Sequence, residues 1–518
     1  MFKRSRRGFM ADVGRGMIVA GVGLSAAADL GLAPAWARDA GADPLQFGGM
    51  EPLVALMQEH SADALLPLLV EKLNNGTELK TLVTAASLAN ARTFGGEDYV
   101  GFHTLMAMSP ALHMASELAG PRRALPVLKV LHRNTRRIQE HGGRGSEVLG
   151  TVKPADVQGA DALRQAVHDK DVARAEAVFA ATAKGATPSA LLDVLLPTVG
   201  DNTEVHRVVL PYRAYDLLGL IGPEQAHTLL RQSVRYCVKS ERDWKHSAET
   251  DEPRRVLPRL LAEHHLESGG TGHRNADDAW IDQFSKTLFE STQTQAAEAV
   301  ALALKEGFKA EAIGEAISLA ANQLVLRDAG RPANQTSEGK PVGSVHGDSI
   351  GVHACDSANA WRNMALVADP RNTAACLILA GYQLALDRVQ RGGDFLHWTP
   401  HPHAEVLESV KTRKPDALLS EADEAVRAGD QARAAAVVHL YGTLGQSERP
   451  VFDLLLKYAI SEDGALHAEK YYRTVREEFA ATRPAFRWRQ LTALARVTAS
   501  EYGRPAPGYA EACRLLKI

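Results

Sequence analysis

The chain is poor in the residues that build cross-linked or sheet proteins. Its 518 residues include four cysteines, Cys237, Cys355, Cys376 and Cys513, none in C-x-x-C spacing, which argues against a zinc ribbon or a redox pair. They read as buried thiols, and an exported setting leaves room for one disulfide. Aromatic residues make up only 6%. Because strands favour β-branched and aromatic residues, this scarcity beside abundant alanine and leucine predicts an all-α protein. Neither charge sign dominates: 59 Lys and Arg against 62 Asp and Glu give a net charge of -3, which argues against nucleic acid or an anionic membrane surface as the main partner. No stretch reaches the roughly 18 apolar residues of a stable membrane span. What is present, 45% hydrophobic and 23% charged residues, is the mixture of a globular chain with a sizeable core.

The first residues read as an address. Ser5-Arg6-Arg7-Gly8-Phe9-Met10 matches the twin-arginine export consensus, Met17 to Ala28 is a short apolar run, and Ala35-Trp36-Ala37 is an A-x-A cleavage site. The expectation is a signal over 1–37, the export machinery as its partner, and a single helical domain over 38–518 in the periplasm. An uncleaved N-terminal anchor is the other reading. Because this route carries folded proteins, a cofactor installed before export is expected.

One unit recurs four times, over about 50–140, 155–240, 280–390 and 404–518. Each has an alanine-rich helix, a glycine turn, a second helix, and a third helix carrying a histidine. The helices are expected over 62–74 and 79–93, 161–183 and 188–199, 295–306 and 310–328, and 416–444 and 450–461. The histidines are His103, His206, His353 and His467. Each is followed 17 or 18 residues later by a proline expected to open the next helix, Pro121, Pro223, Pro370 or Pro484. Such units bury one face only by stacking, so four of them form an arc or a closed toroid around a central site. Polar insertions over 241–279, 331–345 and 391–403 fall between or within the units and suit lids or rims.

Four equivalent histidines suit a metal, which needs donors converging from separate elements. His346, seven residues before His353, shares its face if that stretch is helical and is a further candidate ligand. His113, His132 and His227 read as ordinary packed or surface histidines. Asp356 and Lys470 each follow a candidate ligand by three residues. They read first as solvated helix charges, and otherwise as partners of the ligands or, for a carbamylated Lys470, as a ligand. Gly347-Asp348-Ser349-Ile350-Gly351 matches G-x-S-x-G, but the nucleophile elbow needs a strand before Ser349, and none is predicted.

Three segments carry a resemblance to a known family. Gly101-Phe102-His103 is followed by Leu118-Ala119-Gly120 and Arg133-Asn134-Thr135; His206 leads to Tyr212, Tyr215 and Gly219; and His353-Ala354-Cys355-Asp356-Ser357 forms the third. In these the chain resembles the questin oxidase-like family, associated with oxidative ring cleavage of anthraquinones. The resemblance implies an all-helical oxygenase with a histidine-ligated non-haem iron held by His103, His206 and His353, whereas His467 rests on the repeat alone. Ala107 and Leu210 stand where the family's first two segments carry second histidines. The resulting expectation is an iron protein, with copper as the alternative metal, that oxidises a small aromatic or quinone-like molecule with dioxygen. The competing expectations are a non-catalytic helical scaffold and, as a minor reading, a serine hydrolase using Ser349.

Overall fold

The computed structural model describes residues 43–243, 251–267, 272–390 and 392–518. The segment over 1–37 read as an export signal, and the stretches of the first insertion around Trp244 to His246 and Gly269 to Thr271, lie outside them. Among the described residues there are 23 α-helices and no strand, only isolated bridges.

Around His103 the chain forms α1 (Glu51–Glu59), α2 (Ala62–Asn74), α3 (Leu79–Phe94), α4 (Tyr99–Ser116) and α5 (Leu125–His141). Around His206 come α6 (Ala160–His168), α7 (Val172–Thr182), α8 (Pro188–Val199), α9 (Val205–Ile221) and α10 (Ala226–Asp243), followed by α11 (Pro253–Glu263). His353 lies among α12 (Asp278–Glu290), α13 (Gln293–Lys305), α14 (Ala310–Arg327), α15 (Ile350–Val367) and α16 (Pro370–Gln390), after which α17 (Ala404–Ser409) is short. The chain ends with α18 (Pro415–Arg427), α19 (Gln431–Thr443), α20 (Arg449–Ser461), α21 (His467–Ala481), α22 (Trp488–Glu501) and α23 (Tyr509–Leu516).

Local chemistry sets these boundaries and corrects several expectations. The continuous helix expected over 161–183 is two helices, because Lys170 takes a left-handed conformation (φ 60°) and the Asp171 carboxylate then caps α7 by accepting from the Arg174 N–H. Gly429 (φ 67°) and Asp430 divide 416–444 in the same way, Asp430 capping α19. Only Pro370 opens an α-helix; Pro121 and Pro223 sit in short 3-10 turns before α5 and α10, and Pro484 in a turn before α22. The insertion at 241–279 is not purely irregular, since α11 lies within it and packs on α13 and α16. All four cysteines are free, three of them buried. No helix among the described residues is long and apolar enough to cross a membrane.

The four histidine-bearing helices form the centre. Helix α4 packs against α9, α9 against α15, α15 against α21, and α21 back against α4. Each also packs against the helix before it and the helix after it. Their side-chain contacts advance together. Thr474, seven residues after His467, meets Arg213, seven after His206, at 2.9 Å. His113 and Asp216, each ten after its histidine, lie 3.4 Å apart. Neighbours that stay level in this way run parallel, so the four histidines, all within the first five residues of their helices, lie at one end of the bundle.

His227, near the start of α10, is half-buried and stacks on Phe179. Burial, aided by Arg231, pushes its imidazole down to about 4. Below about pH 6.5 the unfolded chain accepts a proton that the folded chain refuses, so this group has no effect at higher pH and destabilises as pH falls toward 4. Denaturant melts should show His227→Gln losing about 2 kcal/mol less than wild type between pH 7.5 and pH 5. Equal acid sensitivity of the two proteins would contradict this account.

Candidate metal centre

Three of the four inner helices begin at a side-chain cap: Asp98 accepts from the Gly101 N–H, Glu204 from the Arg207 N–H, and Ser349 from the Val352 N–H. The fourth, α21, begins after the left-handed pair Ala465 and Leu466, which turns the chain so that His467 is its first residue. These starts place four buried imidazoles in a closed ring. Ring centroids are 4.8 Å apart for His103 and His206, 5.9 Å for His206 and His353, 5.4 Å for His353 and His467, and 5.2 Å for His467 and His103. Each of the four comes from a different segment of the chain.

Hydrogen bonds engage one nitrogen in each of two rings. His103 Nδ1–H donates to the Tyr99 carbonyl at 2.7 Å, and His206 Nδ1–H donates to the Glu204 carboxylate. Both rings therefore engage through Nδ1, and neither Nε2 has a hydrogen-bond partner among the described residues. His353 Nε2 and His467 Nε2 lie 3.3 Å apart. Nitrogens about 2.1 Å from one tetrahedral ion would be separated by about 3.4 Å, so this pair already has the spacing of a shared ligand set. Among the described residues no group of three or more His, Cys, Asp or Glu side chains that could hold a metal ion is found.

The surroundings disfavour the charged form of two of the imidazoles. Burial, then the charge of Lys470, then the neighbouring imidazoles hold His103 well below the usual histidine range, and burial, Lys470 and His353 do the same to His467. Glu204 remains ionised: burial would raise its carboxyl, but His206 and the Tyr236 hydroxyl, which donates at 2.7 Å, bring it down to about 2. Tyr99 and Phe102 cover the rings of His103 and His206 on the outside, with centroids 4.3 to 5.5 Å away, and Tyr236 packs edge-on against Phe102.

The other candidates fall in different places. His346 is not on the His353 helix, because α15 starts only after Ser349. It is fully buried in the preceding turn, its Nδ1 3.4 Å from Asp348 and 3.9 Å from Glu501, and it acts on His467 from behind the ring. Gly347 makes this approach possible, since a Cβ there would stand 2.4 Å from the His467 Cβ. Asp356 and Lys470 are not solvated helix charges; both are buried beneath the ring. Ser349 caps α15 with no strand before it, so it lacks the setting of a nucleophile elbow. His113 pairs with Asp216 and His132 with Asp63.

Sequence reasoning missed the polar column that continues below Asp356 and Lys470. Thr474 donates to Asp356 at 2.7 Å, and Arg213 donates to Thr474 and lies 3.4 Å from Glu477 and 3.8 Å from Asp216. Tyr212 donates to Glu477 at 2.8 Å. These residues sit about six to ten positions after their histidines, so stepping along the inward helix faces would have found them. Glu204 was also missed, although a carboxylate two residues before a candidate ligand at a helix start is a recognisable signal.

Partners of this kind orient a ligand and raise its basicity. Glu204→Ala should weaken metal affinity about 10- to 100-fold, and Glu204→Gln less, in a chelator competition titration. Unchanged affinity in both would remove Glu204 from the centre. No family model, no curated protein and no solved structure matches this chain.

Proposed function

We propose that the chain is an exported metalloprotein that holds one non-haem iron, or copper, through His103, His206, His353 and His467, and oxidises an aromatic or quinone-like small molecule with dioxygen. The observation that carries the reading is the closed ring of four buried imidazoles, two of them with buried Nε2 atoms that have no hydrogen-bond partner among the described residues. Burying such atoms without a partner is costly, and a metal ion is a partner that suits several imidazoles at once.

The architecture in this reading is a closed toroid of four degenerate repeats. Its support is the order of five helices that recurs around each histidine, with the fourth of each five on the inside. In this reading α11 falls between the second and third units and α17 before the five helices around His467, and the signal over 1–37 would direct the folded, loaded protein to the periplasm.

The metal would supply redox chemistry and a position for substrate or dioxygen. The protein's own residues do the rest. Tyr99 and the Glu204 carboxylate hold the Nδ1 atoms of His103 and His206, which leaves both Nε2 atoms without a hydrogen-bond partner among the described residues. Phe102 and Tyr99 exclude water from one side of the ring. Asp356, Lys470 and Arg213 provide the charges on the other side, close enough to bias which protonation state of a bound molecule is stable.

The experiment is oxygen uptake by the anaerobically iron-loaded protein, and separately the copper-loaded one, with phenols, hydroquinones and anthraquinones. Consumption above the metal-free control that disappears in His353→Ala supports the reading. A protein that takes up neither metal and consumes no oxygen points instead to a helical scaffold whose concave face binds a partner.

A further inference from the structure

The turn that sets His467 is strained, and it is held from outside. Ala465 and Leu466 both take left-handed conformations (φ 50° and 67°), which a residue with a Cβ disfavours. Two such residues in succession persist only where their surroundings fix them. Within the turn, the Ala465 N–H donates to the Asp463 carboxylate at 3.0 Å and the His467 N–H to the Gly464 carbonyl at 2.9 Å.

The rest of the hold comes from the segment that follows α22. There the Asp463 N–H donates to the Arg504 carbonyl at 2.6 Å, and the Ala506 N–H to the Ser461 carbonyl at 2.8 Å. The buried Glu462 carboxylate accepts from the N–H groups of Gly503 at 3.0 Å and Arg504 at 2.8 Å. Lys129 of α5 donates to the carbonyls of Ala459 and Glu462 at 2.8 and 2.7 Å. The same segment is rooted at a second histidine helix. Just before α15, Ser500 donates to the Val345 carbonyl at 2.9 Å and the Glu501 carboxylate accepts from the Gly347 N–H at 3.0 Å. One stretch of chain therefore fixes the starts of α15 and α21, and these starts carry His353 and His467.

Beyond this crossing the segment runs into α23, which packs on α2 and α5 but fully buries only Ala512. A strap with so little buried apolar surface opens at lower free energy than the helices beneath it. Strain on one side and a small set of hydrogen bonds on the other make an element with two positions. With the strap down, the left-handed pair is enforced and His467 stands in the ring. With the strap lifted, Ala465 and Leu466 relax and the first turn of α21 loses its placement.

We propose that residues 502–516 are a latch on the ring: their hydrogen bonds to the strained turn 461–466 hold His467 in place, and their release opens that end of the four-histidine bundle to small molecules. The latch stands on these hydrogen bonds and needs no metal, whereas its use as an entrance rests on the reading of the ring as a functional site.

The test uses the metal-free full chain. Hydrogen–deuterium exchange, read by mass spectrometry, follows the backbone over 459–468 and 502–510. Diethyl pyrocarbonate, a small reagent for unprotonated imidazole, reports access to the ring. Glu462→Ala removes both acceptor oxygens, so exchange in the two segments should rise together by at least about tenfold. His467 and His353 should then be modified faster by a similar factor, while His227 in the second unit keeps its rate. Ala465→Gly should act the other way, slowing exchange over 459–468 by about threefold, because glycine takes positive φ without strain. If Glu462→Ala does not fold, Glu462→Gln, which keeps one acceptor oxygen, should show a smaller rise in the same two segments.

Faster exchange in both segments with no change at His467 would mean that the strap moves without opening the ring, and would overturn the proposal. So would segments that exchange independently, faster exchange in Ala465→Gly, or a rise spread evenly over all helices, which would make Glu462 a support of the whole fold. None of these outcomes depends on metal content, so the latch and the metal reading fail separately.

Discussion

Wild-type protein loaded with iron or copper should hold close to one ion per chain, and a variant with His103, His206 and His353 all changed to alanine should hold none while keeping its helical circular dichroism. The loss is expected to be complete because three of four donors disappear and, among the described residues, no other group of His, Cys, Asp or Glu is arranged to hold an ion with the remaining His467. A companion measurement separates ligands from ordinary core histidines. In the metal-free protein the Nε2 of His103 is buried and unpaired. His103→Leu should therefore leave metal-free stability unchanged or raise it by about 1 kcal/mol, since the cost of an unsatisfied buried polar atom is removed. A core histidine that earns its place by packing and hydrogen bonding would show the opposite, a loss of more than about 1 kcal/mol on the same substitution.

The second large effect lies below the ring. Arg213→Met should cost about 3–5 kcal/mol of stability in denaturant melts, because it leaves buried carboxylates without their counter-charge. Glu477 and Asp216 lose a partner within 4 Å, and Thr474 loses the donor at 2.9 Å. Burial lowers the Arg213 guanidinium, but Glu477, Tyr212 and Asp216 more than compensate and hold it above its ordinary value. The exposed Arg136, paired only with Glu140 one turn away, provides the control. Arg136→Met should change stability by no more than about 0.5 kcal/mol. If Arg213→Met also stayed below about 1 kcal/mol, the polar column would not be an interdependent network.

Much of the helix layout was legible because periodicity and punctuation agreed. The helices at Ala62–Asn74 and Pro188–Val199 stand where the apolar spacing puts them, and Ala310–Arg327 ends one residue short of the expected position. The breaks at Lys170 and Gly429 were harder to see. Alanine-rich periodicity runs through both points, so the amphipathic pattern reads as one helix even though Asp171 and Asp430 cap new ones. The pairing of Gly429 with Asp430 was a usable stop-and-start signal that the stronger pattern masked.

The site was legible in outline through one relation, the near-constant spacing from each histidine to a proline. That spacing brings His467 into the ring even though Arg483 occupies the turn position held elsewhere by glycine or aspartate. It could not place His346, whose assignment depended on whether α15 began before or after Ser349. Nor did it reveal that Asp356 and Lys470 are inside. A residue three positions after an inward histidine shares its face, so solvation was the wrong default once the histidines were taken to point inward. The column of Arg213, Thr474, Glu477 and Asp216 follows from the same step repeated, but only if the four helices are known to run parallel, and that is a property of the packing.

The central claim is that four histidines from four separate segments share one ion. Anomalous diffraction from crystals loaded anaerobically with ferrous iron tests it most directly, with data on both sides of the iron edge. The account predicts a single strong peak inside the ring, about 2.0 to 2.3 Å from an imidazole nitrogen of each of His103, His206, His353 and His467. No peak there, or iron bound only elsewhere, for example beside His397, His401 and His403, would contradict it.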